Sequence, residues 1–293
     1  MINGHTKLVG LIAWPVEHTI SPAMHNAAFD ALGLNWRYVP LAVHPTQVEA
    51  AGRGLVALGF QGCNVTVPHK QAVLAALHAD ALGSVAPDAA AFGAVNTIIV
   101  VRNEDGTATV QGDNTDYQGF VGSLRSEGFE PEGKKVVVVG AGGGARAVVF
   151  GLLRAGAERV LVSDLVSEQV QALVASVGDA RLRELPATTE ALIESARAAD
   201  LLVNATPVGM APKVDGSIWP DDVPVPSHLT VFDLVYTPLE TKLLEQVKQA
   251  GGRAIAGLDM LVRQGAVSFE MWTGVEPPID VMRAACEEGL RNR

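Results

Sequence analysis

Lys135-Val136-Val137-Val138-Val139-Gly140-Ala141-Gly142-Gly143-Gly144-Ala145 is the stretch whose reading decides the fold. Four consecutive valines without polar alternation suit a strand covered on both faces, as in a parallel α/β sheet. The glycines that follow read G-x-G-x-x-A over Gly140, Gly142 and Ala145. In a strand-to-helix turn the first glycine permits the tight turn. The second lets a pyrophosphate approach the backbone, and the small third residue lets helix and strand pack closely. Gly140, Ala141, Gly142, Gly143 and Gly144 are therefore a candidate phosphate cradle, backed by the free N–H groups and positive dipole end of the next helix. The next strand ends in Asp164, about 20 residues on, where an acid can bind the ribose 2′-hydroxyl of a dinucleotide. The competing reading is a ligand-free glycine turn with a surface Asp. Strand, loop, helix, strand and acid in that order favour the dinucleotide.

Downstream, strands are expected at 181–185, 200–204, 229–234 and 253–255, with helical stretches between most of them. That alternation indicates a doubly wound parallel sheet. Two last helices, 258–272 and 279–290, have no strand after them and either cap this domain or return to the first. Upstream, a helix over 114–127 leads out of another α/β half. There strands are expected at 7–13, 36–43 and 61–66, and helices at 21–33, 47–58 and 68–77. A hairpin, 96–101 with 107–112, turns at Asn103-Glu104-Asp105-Gly106. Ser21-Pro22 reads as an N-cap followed by a first-position proline. Residues 80–92 are Ala-rich and carry no pattern that places them.

A chain of 293 residues accommodates two domains. With 48% hydrophobic and 18% charged residues it has ample core, which excludes a disordered chain. Lys plus Arg number 22 against 32 Asp plus Glu, a net charge of −10, so a nucleic-acid or anionic-membrane binder is not expected. The apolar run 8–14 is short and has no cleavage site after it, and the run 136–153 is broken by glycines and Arg146. Neither reads as a signal peptide or a spanning helix. Cys63 and Cys286 lack metal-ligand spacing, and no His/Cys/carboxylate cluster supplies it. No metal is expected, and a reducing cytoplasm is.

The first half carries the polar groups: Thr19 and Ser21, Asn64 and Thr66, Lys70, Asn96, and Asn114-Thr115-Asp116. Each lies at a strand end or helix start, where α/β folds place their sites. Taken singly, each has a plain reading as a cap, a strand residue or a solvated lysine. Jointly they are short polar groups closing apolar stretches. Lys70 in the first turn of a helix would have its positive charge disfavoured by the helix dipole, which suits a general acid/base near neutral pH.

These motifs resemble the shikimate dehydrogenases and their quinate/shikimate relatives. Trp14-Pro15-x-x-His18-Thr19-x-Ser21-Pro22-x-x-His25-Asn26 is similar to the family's opening motif. Asn64-Val65-Thr66-Val67-Pro68-His69-Lys70, Gly93-Ala94-Val95-Asn96-Thr97 and Asn114-Thr115-Asp116 follow, then the glycine loop, Asn204-Ala205-Thr206-Pro207-x-Gly209-Met210, Asp233-Leu234-Val235-Tyr236-x-Pro238 and Met260-Leu261-Val262-x-Gln264. The resemblance spans nearly the whole chain. It implies an N-terminal α/β substrate domain (1–113, joined by a C-terminal helix at about 276–293), a Rossmann dinucleotide domain (114–275), and an active site in the interdomain cleft. It implies an oxidoreductase that moves hydride between a nicotinamide cofactor and a ring hydroxyl of shikimate or quinate, with 3-dehydroshikimate or 3-dehydroquinate as the keto form. Lys70 and Asp116 would be the catalytic pair. Thr19, Ser21, Thr66, Asn96, Tyr236 and Gln264 would hold the substrate. Asn204, Thr206, Leu234, Gly257 and Met260 would line the rest of the dinucleotide site. A monomer or homodimer in the shikimate pathway of aromatic amino acid biosynthesis is the implied setting.

Three departures from the family pattern stand out. Thr19 replaces the usual Ser, and the stretch from Lys70 to Asn96 is a few residues longer. Ser163-Asp164-Leu165 replaces the Asn-Arg pair of NADP-dependent members, so NAD is the expected cofactor over NADP. Two rivals of other classes are a methylenetetrahydrofolate dehydrogenase-like enzyme on a similar plan and a non-catalytic dinucleotide sensor. The joint presence of Ser21, Asn96 and Asp116 argues against the first. Retention of Lys70 and Asp116 argues against the second.

Overall fold

The computed structural model describes residues 2–79 and 83–292. Residues 1 and 293, inside the expected first domain, and 80–82, inside the unplaced stretch, lie outside the described residues. The chain forms two compact units, 1–115 with 262–293, and 116–261.

The first unit runs β1 (Lys7–Ala13), α1 (Ser21–Ala31), β2 (Trp36–Ala42), α2 (Val48–Ala57), β3 (Gly62–Val65), α3 (Lys70–Ala79), β4 (Gly83–Val85), α4 (Pro87–Phe92), β5 (Thr97–Arg102) and β6 (Ala108–Asp113). Its sheet has the order β2-β1-β3-β5-β6-β4. β1 pairs parallel with β2 and β3, whereas β5 pairs antiparallel with both β3 and β6. The β5–β6 hairpin turns where Asn103-Glu104-Asp105-Gly106 placed it: Asp105 accepts from the Thr107 N–H at 2.9 Å, and Gly106 takes φ 82°. The stretch that the sequence left unplaced supplies β4 and α4.

The second unit runs α5 (Asp116–Ser126), β7 (Lys135–Val139), α6 (Gly143–Arg154), β8 (Arg159–Ser163), α7 (Ser167–Val177), β9 (Leu182–Glu184), α8 (Thr189–Arg197), β10 (Leu201–Asn204), β11 (Thr230–Asp233), α9 (Lys242–Gln249) and β12 (Arg253–Ala256). Its sheet is wholly parallel, in the order β12-β11-β10-β7-β8-β9. Chain order reverses between β7 and β10, the switch point at which such sheets bind ligands. The valines of β7 divide between two cores. Val136 and Val138 pack with Phe120, Val148 and Leu152, while Val137 packs with Leu202, Trp219 and Val231. Burial on both faces is why this strand carries no polar alternation.

α10 (Leu258–Thr273) begins in the second unit and continues into the first, and α11 (Ile279–Arg291) packs on α1 with Met282 and Cys286 buried. In the first unit, the Trp272 indole donates to the Ile98 carbonyl at 2.9 Å over Gly62, where a side chain would collide with the ring.

Candidate active site

Backbone bonds gather the first cluster at the carboxyl ends of β1 and β3. Thr66 N–H donates to the Ile12 carbonyl (3.1 Å), Val65 N–H to the Asn96 carbonyl (2.7 Å) and Val95 N–H to the Lys70 carbonyl (3.1 Å). Lys70 is the first residue of α3, half-buried. Ser21 is not the N-cap expected from sequence. It is the first helical residue of α1, and the preceding Thr19 hydroxyl accepts its N–H at 3.2 Å. Pro22 thus takes the second helical position rather than the first.

Beneath these groups lies a buried network. Asn96 Oδ1 accepts from the Thr115 N–H (2.8 Å) and the Thr97 hydroxyl (2.9 Å). Asn64 Nδ2 donates to Ser268 Oγ (3.0 Å) and Thr97 Oγ1 (3.2 Å), and its Oδ1 accepts from the Tyr38 hydroxyl (2.9 Å). Ser268 donates to the Gln264 carbonyl (3.1 Å). Tyr38 is also bonded to Ser21, and burial pushes its phenol well above the ordinary range, so it remains neutral. The Asn96 amide reaches Gln264 Oε1 only at 3.5 Å, the edge of hydrogen-bond range. His25 stacks on Tyr38 with ring centroids 4.3 Å apart. Burial lowers its pKa to about 3, and neither ring nitrogen has a hydrogen-bond partner among the described residues. This imidazole is neutral.

Asp116 is the first residue of α5, buried, and opens the second unit immediately after Thr115. Tyr236 and Gln264 are half-buried, on the loop after β11 and on α10.

The glycine loop forms the second cluster. Gly140 has φ 114°, and a Cβ there would lie 2.7 Å from the Ala205 carbonyl. The first glycine is therefore fixed by both conformation and contact at the switch point. Gly142 and Gly143 are exposed, with nothing within 4 Å of a Cβ, and no side chain caps α6. Open space over an uncapped helix N-terminus suits a diphosphate. Leu234 packs over Gly144, and Thr206 approaches Gly140. Met260, half-buried, packs against the core of this unit.

Asp164 is engaged from two sides. Its Oδ2 accepts from the Ala141 N–H (2.8 Å) and its Oδ1 from the Val166 N–H (2.9 Å). The Ala141 amide, expected in the phosphate cradle, is thus committed to Asp164. Asn204 is fully buried, its amide donating to Asp233 and the Val208 carbonyl and its Oδ1 accepting from Thr206. Gly257 is buried, and a Cβ there would collide with the Leu234 carbonyl. Tyr38, Ser268 and Thr241 carried no sequence signal of their own. The spacing of Gln264 and Ser268, four residues apart on one helix, would have paired those two.

Residues 11–98 match the family described as shikimate dehydrogenase substrate binding domain, and 257–287 match the shikimate 5'-dehydrogenase C-terminal domain. A shikimate dehydrogenase (NADP(+)) from Methanopyrus kandleri is 42% identical, over 99% of this chain and 98% of its own. Among solved structures, shikimate 5-dehydrogenase from Listeria monocytogenes in complex with shikimate and NAD has a TM-score of 0.87 at 32% identity, covering 97% of each chain. Quinate dehydrogenase from Corynebacterium glutamicum in complex with NAD has a TM-score of 0.85 at 32% identity, covering 97% of this chain and 99% of that one.

Proposed function

The chain belongs to the shikimate dehydrogenase family, and from that premise we propose how its residues divide the reaction. It is a nicotinamide-dependent oxidoreductase acting on a CH–OH group of shikimate or quinate. A nicotinamide dinucleotide held at the glycine loop would supply the hydride acceptor for the hydroxyl-bearing carbon. Lys70 takes the proton from the hydroxyl oxygen as the carbonyl forms, and returns it to that oxygen in reduction. Asp116 orients the hydroxyl and keeps the lysine in place. Thr19, Ser21, Thr66, Asn96, Tyr236 and Gln264 hold the carboxylate and remaining hydroxyls, so that the reacting hydroxyl is already placed when the proton moves. The observation that carries this reading is the pairing, in one chain, of a rigid amide-and-hydroxyl network around Asn96 with an open, uncapped glycine loop at a parallel-sheet switch point.

For the cofactor we infer NAD. Relatives 40–44% identical to this chain are named for NADP(+), while the Listeria and Corynebacterium structures hold NAD, so the inference rests on Asp164 and runs against the relatives' names. Asp164 directly follows β8 and is fixed by two backbone N–H groups. Its remaining lone pairs can accept from ribose hydroxyls. A 2′-phosphate would face it at a cost of on the order of 4 kcal/mol per unit-charge pair at about 4 Å, before screening. Among the described residues no helix is long and apolar enough to cross a membrane, and we place the enzyme in the cytoplasm.

Initial rates with shikimate, quinate and 5,10-methylenetetrahydrofolate test the reading. Nicotinamide reduction by one or both acids is expected. Turnover of the folate alone would favour that rival enzyme, and dinucleotide binding without turnover would favour a sensor.

A further inference from the structure

Asp233, at the end of β11, is fully buried, and it accepts hydrogen bonds from three different places. Its Oδ1 takes the Asn204 amide (2.9 Å) and the Val235 N–H (3.0 Å), and its Oδ2 takes the Thr241 hydroxyl (2.6 Å). The Asn204 amide and the Val235 N–H can only donate, so both meet an acceptor oxygen of Asp233. Burial pushes its carboxyl above the ordinary range, while the Thr241, Val235 and Asn204 bonds pull the other way.

The direction of each bond in the chain beyond it is fixed. Asn204 gives its amide hydrogens to Asp233 and the Val208 carbonyl, and its Oδ1 accepts both the N–H (3.1 Å) and the hydroxyl (2.7 Å) of Thr206. The Thr206 oxygen then accepts the Val208 N–H at 3.1 Å. On the other side, Thr241 is the N-cap of α9 and is itself fully buried. One carboxylate therefore pins two loops, 205–208 after β10 and 234–241 after β11. The first carries Thr206. The second carries Leu234, which packs over Gly144 of the glycine loop, and Tyr236.

We propose that Asp233 is a positioning residue for the reaction, its carboxylate setting the 205–208 and 234–241 loops together so that the dinucleotide side and the substrate side of the site are aligned by a single anchor. This rests on the assignment of Thr206 and Leu234 to the cofactor and Tyr236 to the substrate. An Asn at 233 could keep the Asn204 and Val235 bonds on its oxygen, but its amide hydrogens would replace the acceptor that the Thr241 hydroxyl now bonds, so the link to the 234–241 loop would be altered while the buried volume hardly changed.

The test uses the full chain carrying Asp233→Asn, Thr241→Val or Thr241→Ser. Dinucleotide affinity is read by direct titration, kcat and KM by steady-state rates, and folding by thermal melts. Asp233→Asn and Thr241→Val are expected to weaken dinucleotide binding and raise the substrate KM together, each by about 10-fold or more, the scale of a lost bond to a charged group. Thr241→Ser, which keeps the hydroxyl and the cap, is expected to stay within about 2-fold of the wild type. If Asp233→Asn melts lower but the folded variant binds and turns over as the wild type does, the role is structural only and the proposal fails. If only one of the two affinities moves, the shared anchor fails. Should Asp233→Asn not fold, the Thr241→Val and Thr241→Ser pair decides by the same criteria. Should the wild type oxidise neither acid, the functional reading fails separately. Dinucleotide titration then decides, and an affinity that Asp233→Asn and Thr241→Val leave unchanged overturns the anchor.

Discussion

The two polar clusters are built from different materials. In the first unit, amides and hydroxyls of Asn64, Asn96, Thr97, Thr115 and Ser268 bond across β3, β5 and α10, with the neutral phenol of Tyr38 completing the chain. In the second, two carboxylates, Asp164 and Asp233, hold loop backbone: one grips the N–H groups of Ala141 and Val166, the other that of Val235. A neutral network adds about 1 kcal/mol per bond and keeps the full electrostatic effect of a nearby lysine. Carboxylate anchors give bonds of roughly 1.5–3 kcal/mol and fix loop backbone, including the loop proposed to receive a diphosphate. The first arrangement suits reading hydroxyl geometry, and the second suits holding an anion by backbone.

If that division is right, the largest loss comes from the residue proposed to carry the proton. Lys70→Ala is expected to lower kcat by ~10²–10⁴-fold with little change in dinucleotide affinity. Activity within a few-fold of wild type would remove Lys70 from the chemistry. Next in size is a change confined to the second cluster. Replacing Ser163-Asp164 with Asn-Arg removes the repulsion and adds a bidentate phosphate partner, so the kcat/KM ratio should swing toward NADP while the KM for the acid holds. The swap also frees the Ala141 amide from its present bond, so some loss with NAD should accompany it. A ratio that does not move would leave Asp164 as a loop anchor only.

Thr19→Val sharpens the first cluster. It keeps shape but deletes a hydroxyl that accepts the Ser21 N–H, and the substrate KM should rise by the roughly 1.5–3 kcal/mol of a hydrogen bond to a charged group. An unchanged KM for every active acid would put Thr19 outside the pocket. The last effect is on stability against acid and leaves activity at neutral pH aside. His25 is neutral in the folded chain, with its pKa lowered to about 3, whereas the unfolded chain binds a proton near 6.5. Between those values the unfolded state holds more protons, so stability falls as pH drops through that window, by up to ~1.4 kcal/mol per pH unit. Denaturant melts of His25→Phe should show a shallower decline from pH 6.5 to 4. An identical slope would mean that His25 is not the group responsible.

The second unit was the more legible from sequence, for a physical reason. Its strands are buried on both faces and its glycine loop has one geometry, so Val136–Gly144 and Asp164 could be placed by pattern alone. The first unit hid more. Its sheet mixes parallel and antiparallel strands, β4 is only three residues long, and α4 is a short Ala-rich turn of helix, too brief for either to show periodicity. The network partners Tyr38 and Ser268 carry no local pattern that marks them and are joined to Asn64 only through long-range folding. For Asn204 the motif gives a residue's place but not its direction: its amide bonds to Asp233 and to the loop carrying Thr206 and Val208, which only the fold reveals.

Initial rates of the wild-type chain with shikimate, measured in parallel with NAD and with NADP across a range of concentrations, bear most directly on the division between a substrate-reading and a cofactor-holding cluster. The expected result is turnover with a kcat/KM for NAD well above that for NADP. No turnover with either dinucleotide, or a kcat/KM for NADP equal to or above that for NAD, would contradict it.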